Sequence, residues 1–125
     1  MTLLTVETSD HVTTLTLNRP DTMNPLGAKG DGDAFAAACN AINADMDVRC
    51  VILTGAGRAF SAGGDIKAMW AHGSKGDFAF SRGFWTDEYR MNSVISNYPK
   101  PIVTVVDGIV MGGGVGVASH ASHRV

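Results

Sequence analysis

The stretch "FSAGGD", residues 60–65, decides the fold, because it places two glycines and a carboxylate between an apolar run and a helix start. The preceding "CVILTG", residues 50–55, predicts a strand, and the following "IKAMWAH" predicts a short helix. The same order recurs when "PIVTVV" runs into "DGIVMGGG" and then "VGVASHAS". Two copies of strand, glycine loop and helix predict an α/β protein.

The other segments predict a hairpin, a long loop and two more helices. "LLTVET" and "VTTLTLN", rich in Thr, Val and Leu, predict paired strands, and the Pro- and Gly-containing "RPDTMNPLGAKGDGD" predicts a loop. Residues 34–45 have helical spacing, with Asp33 as the expected N-cap, and residues 80–98 predict a longer helix ended by "PKP". Because "CVILTG" does not alternate, we expect that strand to be buried on both faces.

Composition limits the possible functions. The chain has 125 residues, 45% of them hydrophobic and 18% charged, which suits a single domain with its own core. A net charge of −2 without a basic stripe argues against a nucleic-acid partner, and no apolar run approaches the roughly 20 residues of a membrane span. Cys39 and Cys50 form no C-x-x-C motif, so we expect reduced core thiols and a cytoplasmic location.

The glycine loops predict an anion site. Free N–H groups at a helix start attract negative charge, and glycine has no Cβ to keep a ligand away from them. No Gly-Lys-Ser/Thr or complete G-x-G-x-x-G is present, so phosphate loops are disfavoured. The remaining interpretations are an oxyanion hole formed by both loops, or glycines that only permit tight turns and close packing.

Other catalytic patterns are weaker. No G-x-S-x-G motif is present, and His120 and His123 have no accompanying carboxylate or thiolate cluster, so we expect no metal. Glu88 falls within the apolar face formed by Phe84 and Met91, where a carboxylate must be paired, used in function or placed at the rim.

Three segments carry a family resemblance. "LNRPDTMNPLG", "AFSAGGDIKAM" and "KPIVTVVDGIVMGGGVG", in this order, resemble the enoyl-CoA hydratase/isomerase family, the crotonase superfamily. The resemblance implies a spiral of repeated ββα units, of which residues 1–125 would be the N-terminal portion of a single, truncated domain. It also implies an acyl-CoA substrate whose thioester oxygen accepts hydrogen bonds from the N–H groups of Gly64 and Gly113.

The resemblance implies further binding residues and partners. Lys67 would lie near a phosphate of coenzyme A, and the other substrate-binding residues would be Ala62, Gly63, Asp65, Ile66 and Glu88. Coenzyme A would enter as part of the substrate, with no other cofactor. The full-length protein would form a homo-trimer or hexamer.

The reaction is left with alternatives. Gly116 stands where hydratases of the family carry a glutamate, and "FWTDEYRMN" and "MGGGVGVASHASHRV" resemble the 3-hydroxyisobutyryl-CoA hydrolase branch. Hydrolysis of a short 3-hydroxyacyl-CoA is therefore the leading prediction. The alternatives are an enoyl-CoA hydratase or isomerase, and a non-catalytic fragment that binds acyl-CoA.

Overall fold

This computed structural model describes residues 2–125. They form a five-stranded mixed sheet, a two-stranded parallel sheet and four α-helices. The strands are β1 (Leu4–Ser9), β2 (Val12–Leu17), β3 (Cys50–Gly55), β4 (Ala59–Ser61), β5 (Ile102–Thr104), β6 (Ile109–Val110) and β7 (His123–Arg124). The helices are α1 (Asp31–Ala44), α2 (Ile66–Gly73), α3 (Phe78–Ser96) and α4 (Gly113–Ser119), with a 3-10 turn at Pro20–Thr22.

The larger sheet has the order β1-β2-β3-β5-β7, and the smaller sheet pairs β4 with β6. Strands β1 and β2 form the predicted antiparallel hairpin, and the other pairs are parallel. The chain thus contains three successive ββα units: β1-β2-α1, β3-β4-α2 and β5-β6-α4. The α/β class and the repeated unit are confirmed, but β4 and β6 are too short to produce a sequence pattern.

The core lies on one face of the larger sheet. Helices α1 and α3 supply Phe35, Ile42, Met91 and Ile95 to it. The prediction that β3 is buried on both faces is wrong. Val51 and Leu53 are buried while the alternate residues of β3 are half-buried, because the core helices cover one side of the strand.

Helix α1 begins earlier than predicted and has a different start. It begins at Asp31 after Gly30, whose φ of 90° is left-handed, and no side chain caps it. The predicted N-cap, Asp33, lies inside the first turn with its side chain 90% exposed. Asp31 instead accepts hydrogen bonds from the amides of Gly27 and Ala28 at 3.1 and 2.9 Å, which closes the preceding turn.

Helices α2 and α3 follow the glycine loop as predicted. The Asp65 side chain accepts a 3.0 Å hydrogen bond from the Ala68 amide and caps α2. Helix α3 starts two residues before its predicted beginning, since Asp77 accepts from the Phe80 amide. Within residues 2–125, no helix has the combined length and apolarity required to cross a bilayer.

Candidate functional site

The two glycine loops meet at the pairing of β4 with β6. Gly63 adopts a φ of 94°, a conformation that favours glycine. A Cβ on Gly63 would lie 2.8 Å from the Met111 carbonyl oxygen and 2.9 Å from the Gly113 nitrogen. Contact this close leaves no room for a side chain. The glycines therefore allow the starts of α2 and α4 to come together. They also permit close packing, the alternative role that the sequence suggested for them.

The amides of Gly64 and Gly113 have no acceptor within residues 2–125. Gly113 is the first residue of α4, where a helix has no internal acceptor for its N–H groups. The Gly63 amide, in contrast, donates to the Ser61 hydroxyl at 3.1 Å. Both half-buried glycines that were predicted as donors thus have N–H groups without an acceptor in the described residues, while their neighbour Gly63 is already paired.

Helix α3 covers these glycines with one face. The Phe84 ring lies over Gly64, so close that a Cβ there would be 2.5 Å from the ring Cζ. One turn later, Glu88 lies against Gly113, where any Cβ would collide with Glu88 Oε1. Two predicted site residues, Glu88 on α3 and Gly113 on α4, are therefore in contact, because Gly113 has no side chain to separate them.

Glu88 is half-buried and lines a small pocket between α1 and α3 that also includes Gly32 and Met91. Burial raises the pKa of its carboxyl above the usual value. The sequence left open whether Glu88 lies in a functional site or at the rim. The structure places its carboxylate beside Gly113 and only partly in solvent.

Asn92 occupies the next turn of the same helix face. A Cβ on Gly116 would lie 2.8 Å from Asn92 Nδ2 and 3.2 Å from Oδ1. The carboxamide therefore fills the space in front of Gly116. Asn92 had no distinguishing sequence signal, since an asparagine within a helix is common and the contact arises only from the packing of α3 on α4.

The remaining predicted binding residues line one surface groove of about 560 Å³. Gly64 and the exposed Lys67 belong to it, together with Ala62, Gly63, Asp65 and Ile66. A second groove of about 400 Å³ shares Pro25 and Asp65 with the first and contains the exposed Lys29. Lys29 was not predicted, because only the fold brings its loop alongside α2.

A buried asparagine holds the loop that borders the groove. Asn24, with a left-handed φ of 51°, donates through Nδ2 to the carbonyls of Ala56 and Ala59, each at 2.9 Å. Its own carbonyl accepts from the Ser61 hydroxyl at 2.8 Å. Asn24 thus links the Pro-rich loop to the glycine loop. The prolines and glycines predicted this loop, but no local pattern indicated a partner for the Asn24 side chain.

The fold does not assemble a metal site from the histidines considered in the sequence. His120 and His123 are exposed. Within residues 2–125, no three His, Cys, Asp or Glu side chains are grouped so that they could hold a metal ion.

Comparison with known proteins identifies the class. Residues 12–125 match the family described as enoyl-CoA hydratase/isomerase. The 3-hydroxyisobutyryl-CoA hydrolase 1 of Arabidopsis thaliana is 38% identical over 96% of this chain and 32% of its own length. The small ribosomal subunit protein mS47 of Schizosaccharomyces pombe is 36% identical over 88% of the chain and 25% of its own.

A solved structure agrees with the family match. The carnitinyl-CoA dehydratase of Mycobacterium thermoresistibile aligns with a TM-score of 0.88 and 48% identity, over 98% of this chain and 36% of that one. The chain belongs to the enoyl-CoA hydratase/isomerase family and has the crotonase fold. It spans about a third of the length of the curated hydrolase that it matches.

Proposed function

We propose that the protein acts on acyl-CoA thioesters and hydrolyses a short 3-hydroxyacyl-CoA. The observation that carries this proposal is that the amides of Gly64 and Gly113 have no acceptor within residues 2–125, where the two glycine loops meet through Gly63 and Gly113 and the Glu88 carboxylate lies against Gly113. Two N–H donors directed at one oxygen would stabilise the negative charge that develops on a thioester carbonyl. The membership of the chain in the enoyl-CoA hydratase/isomerase family supports an acyl-CoA substrate.

Coenzyme A would bind along the groove formed by the glycine loop. Ala62 and Ile66 would contact its nucleotide portion, and Lys67 would lie near a phosphate. Lys29, across the adjoining groove, would add a second positive charge. Exposed lysines attract phosphates as point charges without fixing their orientation, and they would contact only the coenzyme A portion. We therefore assign specificity for the acyl group to α3, whose Glu88 lies against Gly113.

Hydrolysis transfers the acyl group from the sulfur of coenzyme A to water. The oxygen of water attacks the thioester carbonyl carbon, and the carbonyl electrons move to the oxygen held by Gly64 and Gly113. Collapse of this intermediate breaks the C–S bond. The proton lost by water is transferred to the departing sulfur, giving a carboxylic acid and coenzyme A. Glu88 would lie beside the 3-hydroxyl of the acyl group.

The packing around Gly116 favours hydrolysis over hydration. A hydratase needs a carboxylate to position water, but position 116 has no side chain and Asn92 fills the space in front of it. A glutamate introduced at Gly116 would first have to displace Asn92. We therefore do not expect Gly116→Glu to raise hydration, and the similarity to the Arabidopsis hydrolase points in the same direction.

One assay separates the two reactions on the complete gene product. Thiol release from 3-hydroxyisobutyryl-CoA measures hydrolysis, and loss of enoyl absorbance from crotonyl-CoA measures hydration. We expect thiol release to dominate. Rapid loss of enoyl absorbance without thiol release would replace the hydrolase proposal with the hydratase alternative, to which the similarity with the carnitinyl-CoA dehydratase lends support.

A non-catalytic acyl-CoA-binding protein is the second candidate. Its specific support is that Gly116 has no carboxylate beside it, and mS47, a ribosomal protein, is among the relatives. This candidate predicts that the complete gene product binds 3-hydroxyisobutyryl-CoA in calorimetry but releases no thiol and consumes no enoyl-CoA.

A further inference from the structure

Asn92 is a buried polar residue whose carbonyl oxygen lacks a partner. The residue is 8% exposed, and Oδ1 accepts no hydrogen bond within residues 2–125. A buried acceptor without a donor destabilises the folded state, and most such groups in native proteins are paired. A leucine of nearly the same shape would avoid this cost, so the asparagine at this position requires an explanation.

The neighbours of Asn92 connect it to the candidate site. On α3, Asn92 follows Glu88 by four residues, which places the two side chains on one helix face. On α4, the glycines that they contact, Gly113 and Gly116, are three residues apart and also share a face. The two helices therefore face each other through polar side chains on α3 and bare backbone on α4.

Within residues 2–125, the other buried side-chain atom without a partner is Thr104 Oγ1, in strand β5. At Asn92, the absence of a side chain on Gly116 is what admits the carboxamide. A group bound next to Glu88 would meet Asn92 one helical turn away. Because Oδ1 is an acceptor, the complementary group must carry a donor hydrogen.

We propose that Asn92 binds a hydroxyl group beside Glu88, accepting its hydrogen bond through Oδ1. The hydroxyl is either that of a 3-hydroxyacyl group or that of a bound water. This inference rests on the proposed function, since the acyl group must lie between α3 and α4. It assigns to the unpaired oxygen a donor that residues 2–125 lack.

The test compares two thioesters that differ by one hydroxyl, 3-hydroxyisobutyryl-CoA and isobutyryl-CoA. Asn92→Leu keeps the shape and removes the acceptor, and Asn92→Ala serves if the leucine variant does not fold. Asn43→Leu makes the same chemical change at an exposed position of α1. Each variant of the complete gene product is characterised by kcat/KM for both thioesters and by its Tm.

We expect Asn92→Leu to lower kcat/KM for 3-hydroxyisobutyryl-CoA by about 10- to 100-fold, the value of one buried hydrogen bond. If isobutyryl-CoA is unaffected, the acyl hydroxyl is the donor. If both thioesters lose equally, the donor is water. In either case the Tm should be unchanged or higher, because an unpaired polar group has been removed. Asn43→Leu should change none of these quantities.

The role of Asn92 is overturned if kcat/KM for both thioesters stays within about threefold of wild type, or if the loss caused by Asn92→Leu accompanies a fall in its Tm. Asn92→Ala is scored by kcat/KM alone, because its smaller side chain lowers the Tm by itself. These outcomes differ from failure of the proposed function. In that case the wild-type protein itself would neither bind nor cleave either thioester, as measured by calorimetry and thiol release.

Discussion

Two properties of Gly113 can be separated by substitution. It lacks a Cβ, which allows the Glu88 carboxylate to lie against it, and it carries a backbone N–H without an acceptor in residues 2–125. The first property concerns packing and the second concerns the proposed oxyanion. A side chain of any size tests the first, but only proline removes the N–H.

We therefore predict different effects for Gly113→Pro and Gly113→Ala. Both add a Cβ that displaces Glu88, so alanine is the matched control. Proline also removes a donor, which should lower kcat by a further 10²–10³-fold, or roughly 3 kcal/mol. Proline is tolerated at the first position of a helix, where Gly113 lies, so α4 should persist. Thiol release that differs by less than about threefold between the two variants would exclude the Gly113 amide as a donor.

Glu88 should make stability depend on pH in a defined direction. Burial raises the pKa of its carboxyl in the folded state above the value of 4.5. The folded state then binds this proton more tightly than the unfolded state, so the contribution is fully present below pH 4.5 and is lost as pH rises through the folded pKa. Ionised Glu88 is thus tolerated at a cost to stability near neutral pH.

Glu88→Gln should remove this dependence. We expect the variant to gain stability relative to wild type at pH 7, and to gain less at pH 4, in urea midpoints measured at both values. Glu7→Gln, at an exposed position of β1, controls for the loss of one negative charge. A Glu88→Gln gain that is equal at both pH values, or larger at pH 4, would contradict the assignment.

At the scale of the elements, an ion pair joins the Pro-rich loop to α1. Both oxygens of Asp31 accept 2.7 Å hydrogen bonds from the Arg19 guanidinium, and the side chains are 5% and 17% exposed. The same carboxylate accepts from the amides of Gly27 and Ala28. One side chain therefore orders the loop that borders both grooves and fixes where α1 begins.

Replacing Asp31 should destabilise the protein strongly. Asp31→Ala leaves a mostly buried guanidinium and two amides without their acceptor, and we expect a loss of about 3–5 kcal/mol in the free energy of unfolding. Asp33→Ala, two residues away and 90% exposed, should cost little. Urea denaturation of the two variants provides the measurement. Similar losses for both would show that the Arg19–Asp31 pair does not hold the loop.

At the scale of the whole molecule, the candidate site contains its donors but few acid–base groups. Within the described residues, the Glu88 carboxylate contacts Gly113 and the Asn92 carboxamide contacts Gly116. The carboxamide does not titrate. Hydrolysis also requires proton transfer to sulfur. The Arabidopsis hydrolase that this chain matches is about three times as long as residues 1–125. We therefore expect that residues outside this range would supply the proton-transfer groups. The trimer or hexamer and the cytoplasmic location stay predictions.

We predict that residues 1–125, purified alone, bind 3-hydroxyisobutyryl-CoA weakly and show no measurable turnover. Proton transfer by a positioned group contributes ~10²–10⁴-fold, and Glu88 is assigned to the substrate hydroxyl instead. The measurement is thiol release at increasing thioester concentration, with the complete gene product as the positive control. Saturable thiol release by residues 1–125 would show that the described residues suffice for catalysis.

The sequence by itself determined the class of the fold and the two glycine loops that form the candidate site. Apolar runs followed by glycines and helix starts are local features, so the strands around residues 50–55 and 102–104, the Asp65 cap and the two glycine loops could all be predicted. Its errors arose from contacts that lie outside the local pattern, such as the helices that cover only one side of β3. The start of α1 was misplaced because Asp31, rather than Asp33, is held by Arg19, a partner 12 residues away.

Only the tertiary structure decided what the glycines contact. The pairing of β4 with β6 brings Gly63 against Gly113, and the packing of α3 on α4 places Glu88 and Asn92 over backbone without side chains. No local pattern encodes these contacts, because they join residues that are distant in the chain. A glycine loop can be recognised from its own residues, whereas the side chain that fills the space beside each glycine depends on how the helices pack.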